Sequence, residues 1–326
     1  MYQLINAPLD HNLRNKENGW NTLRRTCASM GLDGIEGIWA GEDIPSDIPP
    51  ELLVGYHLTF LPDWLDFYRE DKAALRRKFG SLESAYNFYG GSEPERLIRL
   101  YREDLARARQ FGAKYVVYHV SDVSIEESYT FQWLHTDEEV FSAAAEIANL
   151  VLDDSFPFEF LMENQWWAGL TFTDPEKTAQ LLEAVNYSKK GLMLDTGHLM
   201  VTNPKIRTQA QALRYLNAML DIHGDLCGMI RGIHLHQSLS GAYLRRAVGI
   251  LPELPEDFLE KYAASYSHIQ QIDRHRPWTN SEISRVVERI HPEYLTHEVA
   301  GYTMKERFLS AHRQVKTLKK GFVLCR

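Results

Sequence analysis

The stretch GLMLDTGHLM, residues 191–200, runs an apolar segment, Gly191 to Leu194, into the carboxylate of Asp195, with the imidazole of His198 three residues on. The same juxtaposition recurs along the chain. VGYHLTF (54–60) carries His57, and KYVVYHV (114–120) carries His119. FEFLMEN (158–164) ends in Glu163 and Asn164. IRGIHLHQ (230–237) carries His234, His236 and Gln237, and EYLTHEV (293–299) carries His297 and Glu298. IDRHRPW (272–278) sets Asp273 and His275 in a D-x-H spacing. Burying such groups is costly unless they are paired or bound to metal. One strand histidine is usually a satisfied core residue, but six strands carrying such groups call for a common cause. Imidazoles and carboxylates without paired cysteines suit zinc, manganese, magnesium or iron rather than an iron–sulfur cluster. Asp195 is placed to bind an ion, Gly197 to let the chain turn sharply without a Cβ, and His198 to aim back at the same spot. His297 neighbours Glu298, so strand alternation points it away.

Bringing these groups together requires elements that end at one place. Eight apolar runs read as buried parallel strands: 3–7, 34–39, 54–60, 114–120, 158–164, 191–195, 230–237 and 293–299. Amphipathic stretches at 21–31, 94–112, 137–152, 174–185, 207–223 and 281–290, and a last one from about Met304, read as helices. Ser92-x-x-Glu95 has the form of a capping box, and Asp174-Pro175 that of an N-cap followed by proline at the first helical position. Strands alternating with helices predict a parallel α/β fold. No GxGxxG loop follows the first strand, so the expectation is a (β/α)8 TIM barrel: one domain over 1–326, with insertions at about 61–93 and 238–272 on its C-terminal face.

The chain has 326 residues, 44% of them hydrophobic, and a net charge of −8, which excludes disorder as the default and weighs against non-specific nucleic-acid binding. Three scattered cysteines, Cys27, Cys227 and Cys325, do not form a disulfide framework. The N-terminal MYQLINAPLDHN has neither the basic nor the apolar region of a signal peptide, and no apolar run reaches membrane-spanning length. The expectation is a cytoplasmic protein without a membrane partner.

The segments VGYHLTF, GAKYVVYHVS, FLMEN, LDTGH, RGIHLH, IDRHRPW and YLTHEV together resemble the xylose isomerase-like TIM barrels, a superfamily of sugar and sugar-phosphate isomerases and epimerases that also includes endonuclease IV. LDTGH with Glu163 and Glu298 is the most specific part. The resemblance implies one divalent ion on Glu163, Asp195, His234 and Glu298, with Glu163 and Glu298 also acting as catalytic acid and base in the epimerases. Likeness to endonuclease IV implies His57, His119, His198, Asp273 and His275 as further metal ligands, giving one to three zinc, manganese or magnesium ions. A polynuclear site suits phosphoester cleavage. The loop AGEDIPSDIPPE after the second strand is acidic, however, and QWWAGLTFTDP after the fifth is aromatic, where a nuclease needs cations for phosphates. Trp166, Trp167, Asn164, His236 and Gln237 are the expected substrate contacts, and Trp278 is a further candidate wall. The leading expectation is therefore metal-dependent isomerisation or epimerisation of a small sugar, sugar phosphate or polyol. The alternatives are an endonuclease IV-like phosphoester hydrolase and a non-catalytic metal- or sugar-binding barrel. The aromatic insertions are a candidate homodimer contact.

Overall fold

The computed structural model describes residues 1–16, 19–39, 41, 44 and 46–324. Eight strands form its centre: β1 (Tyr2–Leu9), β2 (Gly34–Trp39), β3 (Leu53–His57), β4 (Tyr115–His119), β5 (Glu159–Glu163), β6 (Lys190–Asp195), β7 (Ile230–His234) and β8 (Tyr294–His297). They hydrogen-bond in the closed order β1-β8-β7-β6-β5-β4-β3-β2, every pair parallel. This is the expected (β/α)8 barrel. Several strands stop earlier than their apolar runs, β3 at His57, β7 at His234 and β8 at His297. The residues beyond those points leave the ladder and form the loops around the mouth.

Strand alternation explains how one sequence builds both a core and a polar mouth. The inward face of β4 reads Tyr115, Val117, His119, that of β5 Leu161, Glu163, and that of β6 Met193, Asp195. On β8 it reads Tyr294, Thr296 and then Glu298 just past the strand. The apolar members Leu4, Tyr115, Val117, Leu161, Met193 and Tyr294 pack into one cluster. The polar members follow at the C-terminal ends. Register aligns them: His119 pairs with Glu163, and Asp195 with His234. Irregularities between Ile35 and Glu36 and between Leu192 and Met193 fall on two strands that lead to the site.

Helices cover the outside. Glu95–Gln110 buries Leu97, Ile98, Tyr101, Leu105 and Ala108 at helical spacing. It also buries Asp104, which accepts from the Tyr56 hydroxyl (3.0 Å) and the Thr59 amide (2.7 Å) and so fixes the end of β3. Asp174 caps Pro175–Ala184 as read from sequence, accepting from the amides of Glu176 and Lys177. The expected Ser92 cap does not form. Pro94 already has helical angles (φ −54°, ψ −30°) and carries no side-chain cap, so Ser92 lies outside the first turn.

The long segments after β3 and β7 hold helices Leu65–Tyr68, Lys72–Phe79 and Leu82–Tyr89, and Gly241–Ala247 and Phe258–Ile272. They pack on one another through Phe79 and Phe258 (ring centroids 4.4 Å) and Phe88 and Tyr262 (5.8 Å). Buried ion pairs anchor the first: Lys78 Nζ lies 2.7 Å from both Asp63 Oδ1 and Asp66 Oδ2. Asp122 Oδ1 accepts from the amides of Trp64 and Leu65. Of the acidic loop after β2, Ala40, Glu42, Asp43 and Pro45 lie outside the described residues, as does Cys325. Among the described residues no helix is long and apolar enough to cross a membrane.

Candidate metal centre

All nine expected ligands converge at the mouth, and His236 joins them. Among the described residues they form three groups, each with ligand atoms within 4.8 Å of one another: His57, His119, Glu163; then Glu163, Asp195, His234, Glu298; then His198, His236, Asp273, His275. Glu163 joins the first two. Its Oε2 lies 3.4 Å from His57 Nε2 and 2.9 Å from His119 Nε2, and its Oε1 lies 3.2 Å from His198 Nδ1 and 3.3 Å from His234 Nδ1. His234 Nδ1 is also 3.2 Å from Glu298 Oε2. His198 Nε2 lies 3.3 Å from Asp273 Oδ2, and His275 Nε2 contacts the same oxygen. The 38 residues between His234 and Asp273 do not separate the groups, because the two helices after β7 loop out. The chain then returns beside Gln237, whose amide donates to Arg276 O (2.8 Å).

The polar atoms behave as a ligand set and not as a finished ion-pair network. Glu163 Oε1 and Oε2, Glu298 Oε2, and the Nδ1 atoms of His119, His234 and His236 are buried without a hydrogen-bond partner of acceptable angle. Such orphans are rare, and an ion is one of the standard partners that satisfies them. Most of the imidazoles have their other nitrogen occupied, which fixes the ring and frees one lone pair for a metal. His57 Nδ1 lies 2.8 Å from Leu58 O, His198 Nδ1 3.0 Å from Asn164 O, and His275 Nδ1 3.0 Å from Glu298 O. His234 Nε2 lies 3.0 Å from Glu36 Oε1. The residues present thus fit divalent ions in donor type, number and orientation.

Electrostatics point the same way. Burial alone would raise Glu163, but His119 and His234 outweigh it and hold the carboxyl well below its usual range. Asp273 is held down likewise against burial by His275 and His198, and Glu298 by His234 and His275. Conversely, burial would lower His198 and His234, yet the surrounding carboxylates raise both well above the ordinary imidazole value. His275 is raised to about 9, its burial outweighed chiefly by Asp273. His119 is lowered, because burial prevails there. Protonated imidazoles balance the buried carboxylates, and a bound metal would displace those protons.

Local sequence explains the placement of Asp195 and His198. Asp195 N-caps the short helix Thr196–Val201, its Oδ1 accepting from the His198 amide at 2.6 Å, while its Oδ2 lies 2.9 Å from His236 Nε2. The expected sharp turn at Gly197 is corrected: Gly197 lies in this helix at ordinary φ. Glycine is required because a Cβ there would sit 1.9 Å from His236 Cε1. His275 has left-handed φ (44°), an uncommon conformation held by the contact of its Nδ1 with Glu298 O and by its own carbonyl accepting from the Ala300 amide. His297 points away as expected, its Nε2 3.2 Å from Gln3 Oε1 and its Nδ1 2.9 Å from Gln314 Nε2.

The other expected contacts sit at different depths. Asn164 is buried, its amide engaged with the backbone of Asp195 in both directions, at 2.8 and 3.1 Å. His236 is fully buried beside Asp195 and Asp273. Trp166 lies over His198 (centroids 5.0 Å), and Trp167 stacks on Phe60 (6.1 Å). Both indole N–H groups are buried and unpartnered, as is Gln237 Oε1. Trp278 is fully buried, its N–H donating to His236 O at 2.8 Å, so it braces β7's extension and does not wall a substrate.

Sequence reasoning missed Glu36. It lies beneath the ligands, accepting from Tyr115 Oη (2.6 Å) and Thr296 Oγ1 (2.9 Å) as well as facing His234. The available signal was one acid inside the otherwise apolar GIEGIW. Gln165 was missed too. Its amide nitrogen lies 3.0 Å from His198 Nδ1 and 3.4 Å from His119 Nε2.

The fold is shared with solved structures of low identity. Endonuclease IV from Thermus thermophilus superposes with a TM-score of 0.54 at 16% identity, covering 98% of this chain and 100% of that one. L-ribulose 3-epimerase gives 0.54 at 12% identity, covering 97% and 93%. A D-tagatose 3-epimerase-like protein gives 0.50 at 11% identity, covering all of both chains. No curated protein sequence matches the chain. Residues 25–287 match the sequence profile of the xylose isomerase-like TIM barrel, and the chain belongs to that family.

Proposed function

We propose that this chain is a metal-dependent hydrolase of phosphoesters with a polynuclear centre. The observation that carries the reading is the convergence of the nine expected ligands into three groups, two sharing Glu163 and the third joined to them through His198 and His236. An isomerase needs only the group of Glu163, Asp195, His234 and Glu298, and its other five residues would contact substrate or hold an extra ion. Charge supports the same reading. Three divalent ions against the carboxylates of Glu163, Asp195, Asp273 and Glu298 would leave a cationic centre that attracts an anionic ester. Bound divalent ions polarise a phosphoryl oxygen and yield a nucleophilic water at neutral pH.

The chain's own residues position and enclose. Glu163 holds the groups together. Glu36, Leu58 O, Asn164 O and Glu298 O orient the imidazoles. Trp166 and Trp167 exclude water from one side. Elemental mass spectrometry of protein purified without added metal is expected to find two or three ions per chain, with chelator-sensitive cleavage of bis(p-nitrophenyl) phosphate. One ion per chain, with no cleavage over a range of zinc and manganese concentrations, would reject this reading.

A second reading, isomerisation or epimerisation of a small sugar or polyol, is favoured by one feature. Glu163 and Glu298 flank His234, and the wall beside them is aromatic. In that case the two carboxylates move the proton, and Glu298→Gln abolishes turnover of the sugar.

A further inference from the structure

We propose that the substrate carries one uncharged, ring-sized apolar group, seated in a separate cavity beside the metal centre; its polar end rests on the phosphoester reading above. The cavity measures about 130 Å³ and is lined by Phe60, Trp167, Phe88, Phe258, Tyr262 and Ile269. An apolar cavity of about 150 Å³ holds benzene, so this one accommodates a single ring or a branched aliphatic group. Both insertions build it, Phe88 coming from the first and Phe258, Tyr262 and Ile269 from the second. A cavity formed where two insertions meet over a barrel mouth is placed for specificity, since loops at that face select substrates.

Two aromatic side chains join it to the ligands. Phe60 lines the cavity and packs edge-on against His119, ring centroids 4.2 Å apart. Trp167 lines it, stacks on Phe60 and touches Trp166, which lies over His198. The cavity is therefore separated from the candidate ligands by the rings of Phe60 and Trp167, and a substituent on a group held there reaches it by passing them.

Charge narrows the class further. Lys78 is the cation on the lining, and Asp63 and Asp66 neutralise it at 2.7 Å each. Asp63 and Glu126 are the acids there. A second phosphate finds no free counter-charge in this cavity. The geometry points to a phosphoester with a small aryl or branched alkyl substituent.

The test is calorimetric binding of non-hydrolysable probes to the metal-loaded protein. 3-Phenylpropylphosphonate, whose three methylenes let its ring pass Phe60, is expected to bind roughly ten- to a hundredfold tighter than propylphosphonate, the gain for burying one ring. Ser265→Phe fills the cavity from its lining and should abolish that difference while leaving metal content and propylphosphonate affinity unchanged. If Ser265→Phe fails to fold, Ile269→Trp serves the same purpose. Equal affinity for the two phosphonates overturns the cavity assignment and leaves the phosphoester reading intact. Benzyl alcohol binding that Ser265→Phe removes, with neither phosphonate bound, upholds the cavity and overturns the phosphoester reading. No binding by any of the three overturns the inference.

Discussion

Replacing Glu36 by glutamine tests whether the mouth is a metal site held by a buried support. Glu36 accepts from Tyr115 and Thr296 on Oε2, and His234 Nε2 lies between its two oxygens, 3.1 Å from Oε2 and 3.0 Å from Oε1. While it does so, His234 keeps a proton on Nε2 and presents Nδ1 to Glu163 and Glu298. Glutamine keeps the shape but has one acceptor oxygen. If that oxygen serves the two hydroxyls, an NH2 group faces the imidazole N–H and the orientation is lost. Removing such a support typically costs about 10- to 100-fold in metal affinity, roughly 1.4 to 2.7 kcal/mol. The loss should fall on the ion bound by His234, with the group around His198 and Asp273 unaffected. Competition against a chromophoric chelator, with elemental mass spectrometry at each step, reads both quantities. Tyr115→Phe removes one of the three contacts and should weaken the same ion by a smaller factor. Folded Glu36→Gln protein that binds every ion with wild-type affinity would refute the reasoning, because His234 would then not depend on its buried partner.

Other outcomes follow from the same contacts. Gly197→Ala puts a Cβ 1.9 Å from His236 Cε1. It should displace that ring and lower metal stoichiometry at the third group, and an unchanged metal count would show that His236 has room to move. Chelation should lower the melting temperature, since ligand at a thousandfold excess over Kd stabilises by about 4 kcal/mol per site, whereas a scan unaffected by chelator would argue against any bound ion. Burial would raise Asp66, but His135 and Lys78 hold it down to about 2. Its stabilising contribution is therefore full above the unfolded carboxyl value of about 4 and lost as pH falls toward about 2. Asp66→Asn should accordingly cost about 2 kcal/mol at pH 7 and almost nothing near pH 2, measured by urea denaturation at both. Lys78→Met strands two carboxylates around a buried site and should cost about 3 to 5 kcal/mol in the same assay.

Much of this molecule is readable from local pattern. Strands with both faces covered show as continuous apolar runs, and parallel strands of one barrel all end at the same face. A polar residue at the end of each run is therefore enough to foresee that His119, Glu163, Asp195 and His234 meet. Gly197 shows the limit of such reading: the residue was noticed and its reason misassigned. The sequence offers a tight turn, while the contact that requires glycine comes from His236, 39 positions away. Ser92 shows another limit, because the capping pattern says nothing of Pro94 entering the helical region first.

What the sequence by itself determined is the fold class and the chemistry of the mouth, since both depend on residue type and on periodicity along a single strand. Tertiary structure alone decided which candidate ligands lie together, what holds each imidazole, and where a cavity lies. Glu36 reaches partners 79, 198 and 260 positions away, and the apolar cavity joins two insertions that the sequence keeps far apart. Barrel closure brings such residues within about 3 Å of one another, and no local pattern records a contact made only when the last strand meets the first.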